Sequence, residues 1–449
     1  MSTGATPKIV ITKDELTDAR IDEALQLQHK YVPPAVEPAK PKFRLIYAAW
    51  FYLMIAGGVG AFLAWAILEP HFHDMITFTG KIEQINPEAT PITAREAPIK
   101  GSIRVAGIDV YLIPQATRIV EHGTNNLMPL NQLAPGQVVT LFVERPKRST
   151  IPIAFAIHME PPDKPVDTDV NISDLDTQQT VVGFILFPLV AGMVGLLIGA
   201  VEGIVCRTYA RAASSALIGL LAGFIGGVAS LFVAGLVFTV LGKVGPESVS
   251  TVPSFLYFMF RRGLAWAIAG TAMGLGQGFA LKSGKLKFNG FIGGMAGGLL
   301  GGLLFDPINL LFLGPDGISG AAISRAVGFT IIGAAVGLLI GFTDLLTRDA
   351  WLRVLSGPLQ GKEFSFNRTP IRLGSSPKNE IYLFKDSKID PIHAEINKLR
   401  DAYEIVDNNS SSGTFVNGRR VQRERLVDGV QIKIGNSEFA YSSRENKAG

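Results

Sequence analysis

Six stretches of this chain carry no charged residue, and each is close to the length needed to cross a bilayer. They are Leu45–Leu68, Thr180–Val201, Ala212–Gly242, Gly263–Leu281, Asn289–Phe305 and Ala326–Thr343. About twenty apolar residues in a helix span the hydrocarbon core. Backbone amides in lipid must be satisfied within the segment, so these runs are expected to be helices despite their glycine content. Basic residues set the orientation. Lys40, Lys42 and Arg44 precede the first run, Arg207 and Arg211 follow the second, Lys282, Lys285 and Lys287 follow the fourth, and Arg348 and Arg353 follow the sixth. With six spans all of these fall on one side, which predicts both termini in the cytoplasm. Arg261 and Arg262 oppose the trend, but they follow "FLYFMF", an interfacial aromatic run where arginines can snorkel.

Glycine is the residue that organises this region. Of 49 glycines, 32 lie between Thr180 and Thr343. All seven from Gly195 to Gly227 recur 75 residues later, pairing 195/270, 199/274, 203/278, 219/294, 223/298, 226/301 and 227/302. Gly270, Gly274 and Gly278 recur again as Gly333, Gly337 and Gly341. Spans two and three are therefore duplicated in spans four and five, and span six is a third copy of the first helix of the pair. Glycine at every fourth position makes a flat face for close helix packing, and Gly223, Gly226, Gly298 and Gly301 are its expected contact points. Internal repeats also occur in transporters. The charges within the runs' ends (Glu202, Asp306, Asp344) do not reach mid-depth, which favours a packed anchor, with homo-oligomerisation open to it, over a transport path. "GLGQG" and "SGK" lack the strand that a nucleotide-binding loop requires.

Composition narrows the rest. A net charge of +4 without a basic block gives no reason to expect nucleic acid. The single cysteine, Cys206, excludes an internal disulfide and a cysteine-based zinc site. His71, His73 and Asp74 in "EPHFHDM" lack further ligands at a telling distance and read as interfacial polar residues, so neither a metal nor a cofactor is expected. Residues 1–42 are polar, with a proline-rich approach to the first span, so a polar tail rather than a cleavable signal is expected there.

Between spans one and two, "GKIEQI", "SIRVAGIDVYLI", "GQVVTLFVE" and "IPIAFAIHM" alternate apolar and polar residues, as strands of a small β unit do. "LNQLAPGQVVTLFVE" resembles the late part of bacterial barrels of the OB type. No interleaved basic and aromatic face accompanies it, so a structural or protein-binding role is expected.

From Trp351 onward the chain turns to polar, turn-rich β patterning. Leu373-Gly374, His393-Ala394, Asp407 to Ser410, Gly413-Thr414, Val416-Asn417-Gly418, Leu426 to Gly429 and Ile434-Gly435 follow one another over some ninety residues. In order and motif this resembles the forkhead-associated (FHA) domain. The resemblance implies an eleven-strand β-sandwich whose apical loops bind phosphothreonine peptides. It implies a scaffold of Gly374, His393, Thr414 and Asn417, with His393 and Asn417 bracing the loops. Phosphate recognition needs charge-assisted donors, above all arginine, and here this sequence departs from the family. Ser375 stands where the family has arginine, Asp390 and Pro391 where it has serine and arginine, and Ser412 where it has asparagine. A carboxylate at the phosphate position adds repulsion where a cation is missing; Lys378, Arg372 or Arg419 are the available substitutes. Phosphothreonine recognition, phosphate-independent protein binding and a purely structural sandwich remain as alternatives.

Together these readings predict a multi-domain chain: a polar cytoplasmic tail (1–42), a first span (43–69), an outer β-rich, OB-like unit (70–178), a glycine-rich duplicated membrane domain of five spans (179–346) and an FHA β-sandwich (350–443). The combination looks like bacterial plasma-membrane proteins that carry this domain. A non-catalytic scaffold or signalling adaptor with a protein partner, possible phosphorylation of that partner, and surrounding membrane lipid are the expectation; a transporter or channel regulated by the domain is the rival.

Overall fold

The computed structural model describes residues 45–71, 75–89, 101–113, 117–122, 124, 126–144, 152–168, 170–246, 251–312, 320–400 and 402–444. His73, Asp74 and the tail 1–42 lie outside them. Six long helices form the middle of the molecule: α1 (Ala49–Leu68), α2 (Ile172–Val205), α3 (Tyr209–Val244), α4 (Val252–Ala280), α5 (Gly284–Phe312) and α6 (Ala321–Thr347). Five are long and apolar enough to cross a membrane. The exception is α4. It is long enough at 29 residues, but Arg261, Arg262, Thr271, Gln277 and its glycines dilute the apolar run. Its start is well specified, with Thr251 and Ser254 exchanging side-chain and backbone hydrogen bonds in a capping box.

The helices pack as three antiparallel pairs, α2 on α3, α4 on α5 and α6 on α1. In each, glycine lets backbone meet backbone. A Cβ on Gly195 would strike the Gly219 carbonyl, one on Gly270 the Gly294 carbonyl, and one on Gly333 the Gly57 carbonyl. The third pair is thus completed by α1, from the other end of the chain, in the place that α3 and α5 hold in the first two. The second helix of each pair then packs on the first helix of the next (α3 on α4, α5 on α6, α1 on α2), closing a ring. Its centre is filled by Val190, Val194 and Ile198 of α2, Ala269 and Met273 of α4, and Ile332, Val336 and Ile340 of α6, none more than 2% exposed. Burial of that order is the main stabilisation available where polar groups are few.

At one end of the bundle lie β1 (Ile76–Asn86), β2 (Ser102–Val105), β3 (Ile108–Leu112), β4 (Arg118–Val120), β5 (Leu127–Met128), β6 (Val138–Glu144) and β7 (Ile153–Met159). Pairings β1–β2, β2–β3, β3–β7, β7–β6 and β6–β1 form a closed five-strand circuit, with β3 and β7 parallel and β4–β5 appended at β7. The run "SIRVAGIDVYLI" is not one strand: Ala106 and Gly107 both take positive φ (51° and 74°), turning it into the β2–β3 hairpin.

At the opposite end sits the C-terminal sandwich. Its strands are β8 (Ala350–Ser356), β9 (Glu363–Ser365), β10 (Ile371–Gly374), β11 (Ile381–Tyr382), β12 (Ala394–Lys398), β13 (Tyr403–Asp407), β14 (Thr414–Val416), β15 (Arg419–Val421), β16 (Arg423–Leu426), β17 (Gln431–Ile434) and β18 (Ser437–Ser443). They form sheets β11-β10-β12-β13-β16 and β15-β14-β17-β18-β8-β9 over a core that includes Leu352, Leu373, Ile396, Ile432 and Phe439. The sandwich is docked on the bundle rather than hung from it. Lys362, 1% exposed, donates from Nζ to Tyr52 Oη of α1 at 2.9 Å. Asp344, near the end of α6, accepts from Ser365 Oγ (3.0 Å) and Asn367 Nδ2 (3.3 Å). Cys206, just past α2, is part of the sandwich core cluster.

Candidate peptide-recognition site

The loops β10–β11, β11–β12 and β13–β14 converge at one end of the sandwich, and His393 ties two of them together. Its side chain is fully buried. Nδ1 lies 3.3 Å from the Asp390 amide and Nε2 lies 3.3 Å from the Gly413 carbonyl. An amide can only donate and a carbonyl can only accept, so the proton belongs on Nε2. Gly374 admits the β11–β12 loop, because a Cβ there would come within 2.8 Å of the Asp390 carbonyl oxygen and 2.6 Å of Asn379 Nδ2. Thr414 is fully buried and donates from Oγ1 to Asp407 Oδ1 at 2.6 Å. Asp407 also accepts the Ser410 amide (3.1 Å) and hydroxyl (2.5 Å). Burial works against its charge, yet these hydrogen bonds outweigh burial and hold its carboxyl below the usual aspartate range. Asn417, at positive φ (48°), caps the β14–β15 turn by accepting the Gln431 amide at 2.9 Å.

His393 and Thr414 sit in the hydrogen-bonded contacts around Asp390, Asp407 and Gly413, Gly374 abuts them, and Asn417 is tied separately to β17. The residues expected to meet a ligand are more spread. Ser375 donates its amide to the Asp390 carbonyl at 2.9 Å, joining two loops. Asp390 reaches across to the third loop: Oδ2 accepts the Ser411 amide at 2.6 Å and Oδ1 the Ser411 hydroxyl at 2.9 Å. The Ser411 amide, then its hydroxyl, lower the Asp390 pKa. Ser412 donates from Oγ to the Lys388 carbonyl at 2.7 Å. Lys378 and Arg419 are exposed, and their side chains enter none of these contacts.

Two contributors escape the sequence reading. Asn379, 2% exposed, donates from Nδ2 to the Pro391 carbonyl at 2.6 Å and braces the β10–β11 and β11–β12 loops. Arg420 carries its guanidinium over Gly413: a Cβ there would lie 3.0 Å from Arg420 Cζ. The cation beside the β13–β14 loop is thus Arg420, one position beyond Arg419. Strand alternation separates the two side chains, but which of them folds toward the loop depends on contacts across the hairpin. The bundle reaches the same region, since Arg211 at the start of α3 lies 3.4 Å from the Asn379 carbonyl and 3.8 Å from Glu380.

The helix-packing glycines are also placed. Gly223 and Gly298 lie against the Ala191 and Trp266 carbonyls, Gly301 against Ile332 Cα and Gly226 against the Ala272 methyl. Among the described residues no three His, Cys, Asp or Glu side chains converge as metal ligands would.

The FHA domain family matches residues 371–435. An oxoglutarate dehydrogenase inhibitor from Corynebacterium jeikeium is 31% identical over 108 residues, which are 24% of this chain and 74% of that protein. The glycogen accumulation regulator GarA of Mycolicibacterium smegmatis is 29% identical over 105 residues, 23% of this chain and 66% of that one. The solved FHA domain of the CT664 protein from Chlamydia trachomatis is 26% identical, with 21% of this chain and 98% of that chain covered and a TM-score of 0.20.

Proposed function

The chain belongs to the FHA domain family, whose domains are protein-interaction modules without catalysis, and from that premise we propose that it is an integral membrane scaffold or signalling adaptor. Its FHA loops recruit a protein partner, and they do so without depending on phosphothreonine. The observation that carries this reading is the Asp390–Ser411 pair. Hydrogen-bond donors that could meet a phosphate oxygen already hold a carboxylate of the chain itself, and Ser375 supplies no guanidinium. The braced frame around His393 and Asp407 supports binding by shape and backbone contact.

The setting of the domain supports the scaffold over transport. The ring of helices is filled with aliphatic side chains at its centre, whereas a transport path requires polar groups in the interior. Counting α4 as a sixth span supports a topology with both termini in the cytoplasm of a bacterial plasma membrane and β1–β7 outside. The closed circuit β1-β2-β3-β7-β6 supports an OB-type barrel there.

Titration of the full-length protein with matched phosphorylated and unphosphorylated threonine peptides tests the reading. Equal affinities are expected. In Ser375→Arg with Asp390→Ser, the phosphorylated form should gain about tenfold, the effect of one charge-assisted hydrogen bond. Strong phosphate dependence in the natural sequence would overturn the proposal and point to Arg420 or Lys378 as the donor. Cysteines at Thr124 and after Gly449 should label from opposite sides of the membrane; labelling from one side would break the six-span topology.

A further inference from the structure

A cavity of about 640 Å³ opens between α2, α3, α4, α5 and α6 in the half of the bundle remote from the sandwich. Its body is aromatic, with Phe187, Trp266 and Phe329 among the walls, and its polar end holds Arg262 and Arg325. The glycines show that this space is not a packing fault. Most glycines within the helices have a neighbouring atom under 3.0 Å from an added Cβ. Among the described helical glycines Gly183, Gly235 and Gly284 meet nothing within 4 Å, and the first two line this cavity. Small residues here make room for something other than the protein. Phe184 at the rim is 55% exposed, so the space opens sideways toward lipid rather than along the centre of the ring.

Charge narrows the occupant. Arg262 pairs with Asp306 at 3.0 Å, and Arg325 pairs with Glu69 through two contacts of 2.6 and 3.0 Å. Arg261 lies alongside, its guanidinium 3.4 Å from the centre of the Phe238 ring, which lines the cavity. It has no carboxylate within ion-pair distance among the described residues, and its buried Nε has no hydrogen-bond acceptor there. Among the described residues Arg261 is therefore the arginine of this cluster without a carboxylate beside it, in a region of low dielectric. A phosphodiester with a single negative charge balances it, and acyl chains match the aromatic walls.

We propose that this cavity binds one anionic phospholipid, taken laterally from the leaflet on the β1–β7 side, with its phosphate at the arginine cluster and its chain along Gly183 and Gly235. Native mass spectrometry of the full chain in detergent, with added phosphatidylglycerol, phosphatidylcholine or diacylglycerol, tests it. Phosphatidylglycerol should be retained at one per chain, at least about tenfold more tightly than phosphatidylcholine, with diacylglycerol weaker still; tenfold corresponds to one charge-assisted contact. Arg261→Gln should bring phosphatidylglycerol to the level of phosphatidylcholine. Gly235→Phe, which fills open space and favours the helix, should remove both while the protein stays folded. Equal retention of the charged and zwitterionic lipids, or unchanged retention in Gly235→Phe, would overturn the proposal. So would displacement by inorganic phosphate alone, which would make the site one for a free anion.

Discussion

The helical bundle and the recognition loops bring distant parts of the chain together by opposite means. In the bundle, contact comes from removing side chains: Gly270 and Gly294 meet backbone to backbone, as do Gly333 and Gly57. In the loops it comes from adding polar ones, with His393, Asp407 and Asn379 each satisfying groups on a neighbouring segment. The first device tolerates no enlargement and is indifferent to pH. The second tolerates changes of size but fails when a donor loses its acceptor. Gly374 is the point where the loops borrow the method of the bundle.

The largest effect expected from breaking this contrast is at the bundle glycines, and they should not be equivalent. Gly298→Leu and Gly223→Leu drive a side chain into a carbonyl of the facing helix, which cannot yield without separating the pair. Each should cost about 3 kcal/mol or more, read as a lower midpoint of thermal unfolding in detergent. Gly301→Leu, against Ile332 Cα, should follow closely. Gly226→Leu meets first the Ala272 methyl, 2.7 Å from the added Cβ, with Ala272 Cα at 3.3 Å, and should be the mildest. A uniform response of all four would mean that backbone approach is not what the glycines provide.

That ordering also marks how far the sequence could be read. The spacing of Gly195, Gly199 and Gly203 and its two recurrences could be read from the sequence because a four-residue period is a local property, and these glycines lie in α2, α4 and α6. It left α6 without a partner. The partner, α1, is separated from it by more than two hundred residues and shares only Gly57 with the pattern; Ala61 and Ala64 occupy its neighbouring faces. Small size, not glycine identity, is what that face requires. In the sandwich, motif order marked the FHA region, in which β10 to β17 lie. It could not show that Asp390 would find Ser411, or that Arg420 rather than Arg419 would cover Gly413. Those contacts depend on loop geometry that many sequences share.

The next effect in size belongs to the loop frame. Asp407→Ala would strand the buried Thr414 hydroxyl together with the Ser410 amide and hydroxyl, at a cost of about 2–3 kcal/mol. Asp407→Asn keeps the volume and one acceptor and should lose less. The unfolding midpoint of the sandwich, followed by the fluorescence of Trp351, separates the two. A loss in Asp407→Ala no greater than that in Asp407→Asn would show that the side chain fills space there and braces nothing.

The smallest effect is the most informative about the site, because it isolates one exposed contact. The Ser411 amide and hydroxyl favour the ionised form of Asp390, so its pKa in the folded loops lies below the ordinary aspartate value of 3.8. A depressed carboxyl pKa means the contact is fully present above that ordinary value and is lost only as pH falls through the lower folded one. The amide resonance of Ser411 should therefore shift with a midpoint below 3.8. In Asp390→Ser the shift should vanish. A midpoint at or above 3.8 would show that Asp390 is not held by the loop, leaving the donors of Ser411 free for a phosphate from a partner. The bundle glycines, having nothing to titrate, should report no change over the same range.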